Sequence, residues 1–333
     1  PPTMTQTTKL NGDFLFVADP LDTFKISKDS TYVMMLALQA RGARVHHCHP
    51  KDIEWESGQG VRARVTPITL RPRPSADAPK DTPWYDAGAV AVLALKDFTA
   101  VLMRKDPPFD AEYIYSTHLL SQAERDGARV FNRAEALREH PEKLALLAFP
   151  QFAPPTLVTR DAAAIKAFHA KHKDVILKPL DGMGGMGIFR VGADGMNLGS
   201  IIETLNQDGA QTVMVQAYQP AIKDGDKRIL LIGGEPVPFC LARIPQGTEI
   251  RGNLAAGGRG EARPLTESDW AIARSFAPLL AARGLLLVGL DVIGDKVTEV
   301  NVTSPTCFQE ITDQMGFNVA ERFADALADA LKR

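Results

Sequence analysis

The stretch ILKPLDGMGGMGIFRV, residues 176–191, decides the fold of this chain. It places Lys178 at the end of an apolar run and follows it with five glycines between Gly182 and Gly192. Glycine tolerates positive φ and lets a ligand approach the backbone closely, so such a turn can present N–H groups to phosphate oxygens. The stretch therefore predicts a hairpin that binds a nucleotide.

The order of these residues separates the hairpin from the commoner phosphate loops. A Walker motif places its lysine after the glycines at the start of a helix, and a dinucleotide fingerprint also opens a helix. Here Lys178 precedes the glycines, and GIFRV (residues 187–191) has the composition of a second strand. A strand, a glycine loop and a second strand are typical of ATP-grasp ligases, although a glycine-rich hairpin alone also fits a plain tight turn.

Length and composition place the chain among ordinary globular proteins. It has 333 residues, of which 45% are hydrophobic and 23% charged, and a formal net charge of −2 that gives no general attraction to nucleic acid. Its cysteines, Cys48, Cys240 and Cys307, form no C-x-x-C pair, which indicates neither a disulfide framework nor a zinc site and fits a reducing cytoplasm. The leader PPTMTQTTKLNGD (residues 1–13) lacks the apolar core of a signal peptide, and no apolar run predicts a membrane span.

Alternating strand and helix patterns predict three α/β units with boundaries near residues 140 and 220. In the first unit, FLFVAD (residues 14–19) and AVLMRKD (residues 100–106) are predicted strands of a parallel sheet. The second unit contains the glycine hairpin, and the third contains two further strand pairs. The sequence thus predicts an α/β protein with more than one sheet.

The last predicted hairpin carries Asp291, Glu299 and Asn301. Glu299 and Asn301 are two residues apart on one strand, so their side chains share a face. A three-residue turn over 294–296 puts Asp291 opposite Glu299 on that face, whereas a two-residue turn puts them on opposite faces. The first register makes an all-oxygen site of the kind that Mg²⁺ prefers. The alternative is that these polar residues only face solvent.

Several long stretches together resemble the bacterial glutathione synthetase family of ATP-grasp ligases. Besides the glycine hairpin they are LMRKDPPFDAEYIY (residues 102–115), AIKDGDKRILLI (221–232), GEPVPFCLARIPQGTEIRGNLAAGGRGEARPLT (234–266) and GLDVIGDKVTEVNVTSPT (289–306). The resemblance covers nearly everything from Phe14 onward. It implies an ATP-grasp fold with an N-terminal parallel-sheet, Rossmann-like domain.

The resemblance also implies a reaction. The family joins γ-glutamylcysteine to glycine through an acyl phosphate, with ATP converted to ADP and phosphate. The implied cofactor is Mg²⁺, with Mn²⁺ as an alternative, and the implied state is a cytoplasmic homotetramer with no nucleic-acid or membrane partner. The implied domains are an N-terminal substrate domain (1–140), a central ATP-grasp lid domain with the phosphate loop (141–220), and a C-terminal catalytic and metal-binding domain (221–333).

The same resemblance gives individual residues their roles. The catalytic residues, which hold the reacting phosphate or close over the substrate, are Arg228, Arg243 and Arg251. The residues that bind the nucleotide are Lys143, Lys178, Gly182, Gly184, Gly185, Gly187, Gln216, Ala217, Tyr218, Gln219 and Asp226. The metal ligands are Asp291, Glu299 and Asn301. The residues that hold the peptide substrate are Arg104, Arg228, Arg243 and Asn301.

Some alternatives stay open at this point. The segment 245–260 is too glycine-rich to pack as an element, so it is either a plain connector or a mobile lid that keeps water from an acyl phosphate. The chain could be another carboxylate–amine ligase, of the D-alanine–D-alanine or glutamate-adding kind, or a nucleotide-binding protein without activity. HHCHP (residues 46–50) is given no metal role, because adjacent strand residues alternate faces.

Overall fold

The computed structural model describes residues 7–182 and 185–333. Its strands form three sheets of eight, four and six strands, with helices packed between and around them. Among these residues, none of the helices has both the length and the apolar character that crossing a membrane requires. The α/β architecture predicted from the sequence is therefore confirmed.

The first sheet lies in the N-terminal part of the chain. Its strands are β1 (Gly12–Val17), β2 (Ala43–Cys48), β3 (Ile53–Glu56), β4 (Gly60–Leu70), β5 (Tyr85–Ala87), β6 (Ala91–Ala94), β7 (Ala100–Met103) and β8 (Val130–Phe131), and its helices are α1 (Ser30–Ala40), α2 (Ala111–Asp126) and α3 (Ala134–Glu139). The strands β2, β1, β7 and β8 run parallel in that order, which confirms the predicted parallel sheet and adds β8, a strand that was not predicted. Asp29 caps the N-terminus of helix α1, where its carboxylate accepts a hydrogen bond from the backbone N–H of Tyr32.

The central lobe, residues 156–217, is built on an antiparallel sheet. Its elements are β9 (Thr156–Thr159), α4 (Ala162–His172), β10 (Val175–Pro179), β11 (Phe189–Val191), α5 (Leu198–Asn206) and β12 (Val213–Ala217), with the strands in the order β11-β10-β12-β9. Strand β10 delivers Lys178, and β11 returns antiparallel to it. The two predicted strands on either side of the glycine loop are confirmed.

The C-terminal part contains the third sheet. Its elements are β13 (Asp226–Ile232), β14 (Glu235–Pro236), β15 (Phe239–Ile244), β16 (Arg259–Pro264), α6 (Glu267–Ala282), β17 (Leu287–Ile293), β18 (Lys296–Asn301), α7 (Phe308–Met315) and α8 (Val319–Leu331). The strand order β16-β15-β13-β17-β18 puts β13 and β17 in the middle, where both are buried. Polar side chains on these two strands therefore enter the interior of the molecule.

The turn between β17 and β18 differs from the prediction. Ile293 pairs with Lys296, so the turn has two residues rather than three. The register then shifts by one residue, because Thr298 is an extra residue that bulges out of β18. Asp291 consequently pairs with Glu299, as predicted, but a bulge rather than a longer turn produces that register.

The apolar cores show which parts of the chain fold together. Two large clusters each combine residues of the first sheet with residues of the third, such as Leu15 with Val288 and Phe16 with Leu230. The central lobe has a small core of its own, which includes Ile165, Val175 and Val213. The first and third sheets therefore share a core, whereas the central lobe packs around a separate one.

Candidate active site

A cavity of about 410 Å³ lies between the central lobe and the third sheet. Most of the predicted site residues line it: Lys143, Lys178, Gly182, Gly185, Gln216, Ala217, Tyr218, Gln219, Asp226, Arg228, Arg243, Arg251, Asp291, Glu299 and Asn301. Gly187 takes part in the hairpin turn at φ 72° without being among the lining residues. Gly184 lies outside the described residues. The fold thus brings distant stretches of sequence to one place.

Two guanidinium groups share one carboxylate at the floor of the cavity. Arg228 Nε donates to Asp291 Oδ1 over 2.7 Å, and Arg243 Nη2 lies 3.2 Å from the same oxygen. Burial alone would raise the pKa of Asp291, but the two arginines outweigh it and hold that pKa well below its usual range. Asp291 is therefore an anion held between two fixed cations.

Asp226 completes this cluster on the neighbouring strand. It pairs directly with Arg243 across β13 and β15, and Arg243 Nη2 lies 3.1 Å from its Oδ1. Burial raises the pKa of Asp226, with Arg243 opposing and Asp291 reinforcing that shift. The cluster thus combines two carboxylates and two guanidinium groups, all buried.

Lys143 reaches the cavity from the chain that leads into the central lobe. Its Nζ lies 2.8 Å from Glu142 Oε1, 3.5 Å from Glu299 Oε1 and 3.2 Å from the carbonyl oxygen of Gly182. Burial would lower the pKa of Lys143, but Glu299 and Glu142 raise it well above its ordinary value. Lys178, by contrast, is buried on β10, and desolvation lowers its pKa. Both lysines face the end of the cavity where the carboxylates lie.

Sequence reasoning missed Glu142. The sequence pattern over residues 132–149 is helical, but α3 ends at Glu139 and a short 3₁₀ turn begins only at Leu144. Between them the carbonyl oxygen of Glu142 accepts a hydrogen bond from Val300 N–H over 2.9 Å, which docks this segment along β18. Burial, with Glu299 nearby, raises the pKa of Glu142 to about 7. Pro141 was the one sign in the sequence that the helix breaks here.

The predicted metal ligands present a consistent set of oxygens. In the described part of the chain no three His, Cys, Asp or Glu side chains converge as metal ligands, and the predicted set contains two carboxylates and one amide. Asn301 Nδ2 donates to the carbonyl oxygen of Gly289 over 3.1 Å, which leaves Oδ1 for a ligand. The hydrogen bond from Arg228 and the 3.2 Å contact of Arg243 both go to Oδ1 of Asp291 rather than to Oδ2. Two carboxylates and an amide oxygen suit a hard divalent cation.

The glycine-rich segment 245–260 folds back over the phosphate loop. Arg251 Nη1 donates to the carbonyl oxygen of Gly185 over 2.9 Å, while its Nε and Nη2 donate to Glu249 over 2.9 and 3.0 Å. The hydrogen bond from Arg251 lowers the pKa of Glu249 to about 2. The prediction that the segment forms no element is wrong in two places, because a short 3₁₀ helix covers Leu254–Ala256 and β16 begins at Arg259 and pairs with β15.

The opposite end of the cavity is mostly apolar. Its lining includes Ile176, Ile188, Ile222, Leu254 and Ile293. The same end is bordered by residues 216–219. Arg190 stacks on the ring of Tyr218, with its guanidinium carbon 3.6 Å from the ring centre. A flat aromatic base fits between such apolar walls.

Two further predictions concern residues away from the cavity wall. Arg104 is buried, and it donates from Nε to Thr31 Oγ1 over 3.0 Å and from Nη2 to the carbonyl oxygen of Pro305 over 2.9 Å. Pro305 lines the cavity, so Arg104 supports the wall, and its contact with the peptide substrate stays a prediction. His46 Nε2 bonds Asp13 and His47 Nε2 bonds the carbonyl oxygen of Asp19, so the two rings serve different partners.

Two family descriptions match the chain in order. "Prokaryotic glutathione synthetase, N-terminal domain" matches residues 13–138, and "Prokaryotic glutathione synthetase, ATP-grasp domain" matches residues 142–316. Among solved structures, a D-cycloserine synthetase, DcsG, is similar with a TM-score of 0.64 at 19% identity, covering 96% of this chain and 99% of that one. The ATP-grasp ligase PsnB has a TM-score of 0.60 at 19% identity, covering 97% and 100%. These two likenesses show the ATP-grasp fold.

Curated relatives match the chain at much higher sequence identity. A glutathione synthetase of Ralstonia nicotianae is 60% identical over 316 residues, covering 95% of both chains. That of Nitrosomonas europaea is 52% identical over 318 residues, covering 96% of this chain and 98% of the relative. Since both domain descriptions and these relatives span nearly the whole sequence, this chain belongs to the prokaryotic glutathione synthetase family.

Proposed function

We propose that this chain, an ATP-dependent ligase, joins γ-glutamylcysteine to glycine and forms glutathione, ADP and phosphate. The observation that carries the proposal is the buried cluster in which Arg228 and Arg243 share Asp291, opposite Glu299, at the floor of a cavity that also takes in Lys143. Fixed cations next to carboxylates are what phosphoryl transfer needs, because negative charge grows on the transferring group. A protein that only binds a nucleotide has no use for such a cluster.

The reaction runs in two displacement steps. A carboxylate oxygen of γ-glutamylcysteine forms a bond to the γ-phosphorus of ATP as the bond to ADP breaks, which gives an acyl phosphate. The amine of glycine then attacks the acyl carbon, inorganic phosphate leaves, and the nitrogen loses its proton. Arg228 and Arg243 hold the transferring phosphoryl group, and their charge costs no reorganisation because Asp226 and Asp291 already fix both side chains.

The remaining polar residues hold the nucleotide. We assign Lys143, Lys178 and the loop with Gly182, Gly185 and Gly187 to the phosphates, and residues 216–219 with Asp226 to adenosine. Gly184 belongs to the same loop by sequence. Arg251, bonded to the carbonyl oxygen of Gly185, closes the substrate lid against the phosphate loop and excludes water.

We assign Asp291, Glu299 and Asn301 to Mg²⁺, with Mn²⁺ as the alternative. When bound, the ion supplies positive charge to the phosphate oxygens. The support is that Asp291 and Glu299 lie opposite each other and Asn301 follows on the same face of β18, so the three side chains leave one face of the sheet. Asn301 is also assigned to the peptide substrate, together with Arg104, Arg228 and Arg243.

The domain roles follow the same division. We propose residues 1–140 as the substrate domain, 141–220 as the nucleotide lid, and 221–333 as the catalytic and metal-binding domain. D-alanine–D-alanine and glutamate-adding ligases are expected to differ in the first domain. The match of the N-terminal family domain over 13–138 therefore favours the glutathione reaction over both.

The cellular setting is proposed on independent grounds. Cys48, Cys240 and Cys307 are free thiols, as a reducing cytoplasm favours. The family resemblance suggests a homotetramer, and association with further copies is supported by an exposed apolar edge strand: Val90, Val92 and Leu93 at or next to β6 are 53%, 49% and 37% exposed. Such an edge is normally covered by another strand or by a partner.

Phosphate release with ATP, Mg²⁺, γ-glutamylcysteine and glycine, omitting each in turn, tests the function. We expect release only with the complete mixture, together with a product that has the mass of glutathione. Turnover with two D-alanines, or with glutamate in place of glycine, and none with γ-glutamylcysteine and glycine would overturn the proposal.

A further inference from the structure

A row of three side chains crosses the central sheet beneath the apolar end of the cavity. Gln216 on β12 pairs with Ile176 on β10 on one side and with Thr156 on β9 on the other. Residues paired across antiparallel strands point to the same face. Ile176 and Gln216 line the cavity, and Gln216 is only 3% exposed. Thr156 therefore stands beside a buried amide that borders the cavity.

The hydroxyl of Thr156 determines the orientation of the Gln216 amide, that is, which of Nε2 and Oε1 faces β9. Its oxygen is 2.7 Å from the carbonyl oxygen of Pro154, and between a hydroxyl and a carbonyl only the hydroxyl can supply the proton. The Thr156 oxygen can then only accept a hydrogen bond from a second partner. Gln216 Nε2 lies 3.1 Å away and donates to it. One N–H of the amide is thus held by Thr156, which turns the nitrogen towards β9 and leaves the carbonyl oxygen Oε1 as the acceptor available to a ligand.

We propose that Thr156, by orienting the Gln216 amide, makes this enzyme select a 6-aminopurine over a 6-oxopurine nucleotide. The acceptor Oε1 can receive a hydrogen bond from the exocyclic amino group of adenine. It repels the carbonyl oxygen of hypoxanthine or guanine, which is itself an acceptor. Thr156 is a positioning residue, since it acts on the base only through Gln216. The inference rests on the proposed placement of adenine at residues 216–219.

The amide would lose this preference without the hydroxyl. Rotation of the terminal amide by half a turn exchanges its donor and its acceptor with almost no change in shape. With the Thr156 hydroxyl removed, either orientation is available, and a 6-oxo base can be met by the amide nitrogen. One neutral hydrogen bond corresponds to a discrimination of roughly five- to tenfold.

The test compares kcat/KM for ATP and for ITP, which differs from ATP only at the 6-position and the adjoining ring nitrogen. Thr156→Val removes the hydroxyl at nearly constant volume, and Thr156→Ala repeats the removal should the valine disturb folding. Thr156→Ser keeps the hydroxyl. Thr159→Val removes a hydroxyl from the other face of the same strand, where it bonds the backbone N–H of Asp161. Gln216→Met removes the amide itself.

We expect Thr156→Val and Thr156→Ala to lower the ATP-to-ITP ratio about five- to tenfold, while Thr156→Ser and Thr159→Val keep the ratio of the unaltered enzyme. Thr156→Val should have no further effect on the ratio in the Gln216→Met background. If Gln216→Met lowers the ratio and neither Thr156→Val nor Thr156→Ala does, the positioning role is overturned. If Gln216→Met also leaves the ratio unchanged, the base lies elsewhere and the placement of adenine fails as well.

Discussion

Asp291 and Glu299 lie directly opposite each other on neighbouring strands, and the bulge at Thr298 is what puts them there. With the two-residue turn alone, Glu299 would project from the other face of β18. The hydroxyl of Thr298 donates to the carbonyl oxygen of Asp291 over 3.3 Å, so the extra residue is tied back to the partner strand. One inserted residue thus determines whether the two carboxylates can share a cation.

The first prediction concerns Glu299→Gln. We expect the Mg²⁺ concentration for half-maximal turnover to rise by more than about tenfold, since a charged ligand becomes a neutral one. Phosphate release measured across a Mg²⁺ titration checks this. The matched control is Glu235→Gln, the same change at an exposed position of β14. Superimposable titrations for the two variants would show that Glu299 holds no cation.

The second prediction separates stability from catalysis at Arg243. Arg243→Met leaves Asp226 as a buried carboxylate without its partner, so we expect the free energy of unfolding to fall by about 3–5 kcal/mol. Adding Asp226→Asn removes the uncompensated charge and should restore part of that stability. Turnover should stay lost in the double variant, because the cation at the transferring phosphoryl group is still missing.

Urea denaturation and phosphate release on the two variants check this. A double variant that regains turnover along with stability would mean that Arg243 is only a structural partner of Asp226.

The sequence predicted those parts of the site that depend on local pattern. Lys178 and the glycine hairpin follow from composition along one short stretch, and the shared face of Glu299 and Asn301 follows from strand periodicity. The bulge at Thr298 could not be predicted, because a single extra residue leaves the alternation of apolar residues nearly unchanged on either side of it.

Long-range contacts account for the other misses. Glu142 enters the site only because its carbonyl oxygen accepts a hydrogen bond from the backbone N–H of Val300, far along the chain. No local pattern in the sequence encodes that contact. The antiparallel strands β3 to β6 were not predicted either. Strand β4 pairs with β2, and β3, β5 and β6 pair with β4. The proline of β4 at position 67 argues locally against a strand.

The third prediction is a pH dependence of stability that originates at His140. Its Nδ1 bonds the carbonyl oxygen of Ala136 over 2.7 Å, and its Nε2 lies 2.9 Å from Arg283 Nη1, which requires a neutral ring. Burial lowers the pKa of His140 below its ordinary value. Below about pH 6.5, His140 therefore binds a proton in the unfolded chain but stays neutral in the folded chain. The free energy of unfolding consequently falls as the pH drops.

Denaturation of the unaltered protein and of His140→Gln, between about pH 7.5 and about pH 5.5, checks this. We expect the variant to lose less stability over that range than the unaltered protein does. His118→Gln, at an exposed position of α2, is the control for removing an imidazole. Equal pH slopes in all three proteins would contradict the assignment.

The last prediction concerns the pair Glu249 and Arg251 in the glycine-rich segment. Glu249 binds two nitrogens of the Arg251 guanidinium and thereby aims Nη1 at the carbonyl oxygen of Gly185. Glu249→Gln removes the charge that holds this geometry, so we expect the lid to open more often. Trypsin, which cuts exposed mobile loops first, should then cleave after Arg251 several-fold faster than in the unaltered protein.

An ATP analogue with Mg²⁺ and γ-glutamylcysteine should slow that cleavage in the unaltered protein and slow it less in Glu249→Gln. The variant should also release more phosphate than it makes glutathione, because an open lid admits water to the acyl phosphate. Glu261→Gln is the matched control, since Glu261 pairs with Arg259 and Arg263 on β16 and has no contact with Gly185 among the bonds described. If Glu249→Gln and Glu261→Gln have equal cleavage rates and equal ratios of glutathione formed to phosphate released, the segment is an ordinary connector rather than a lid.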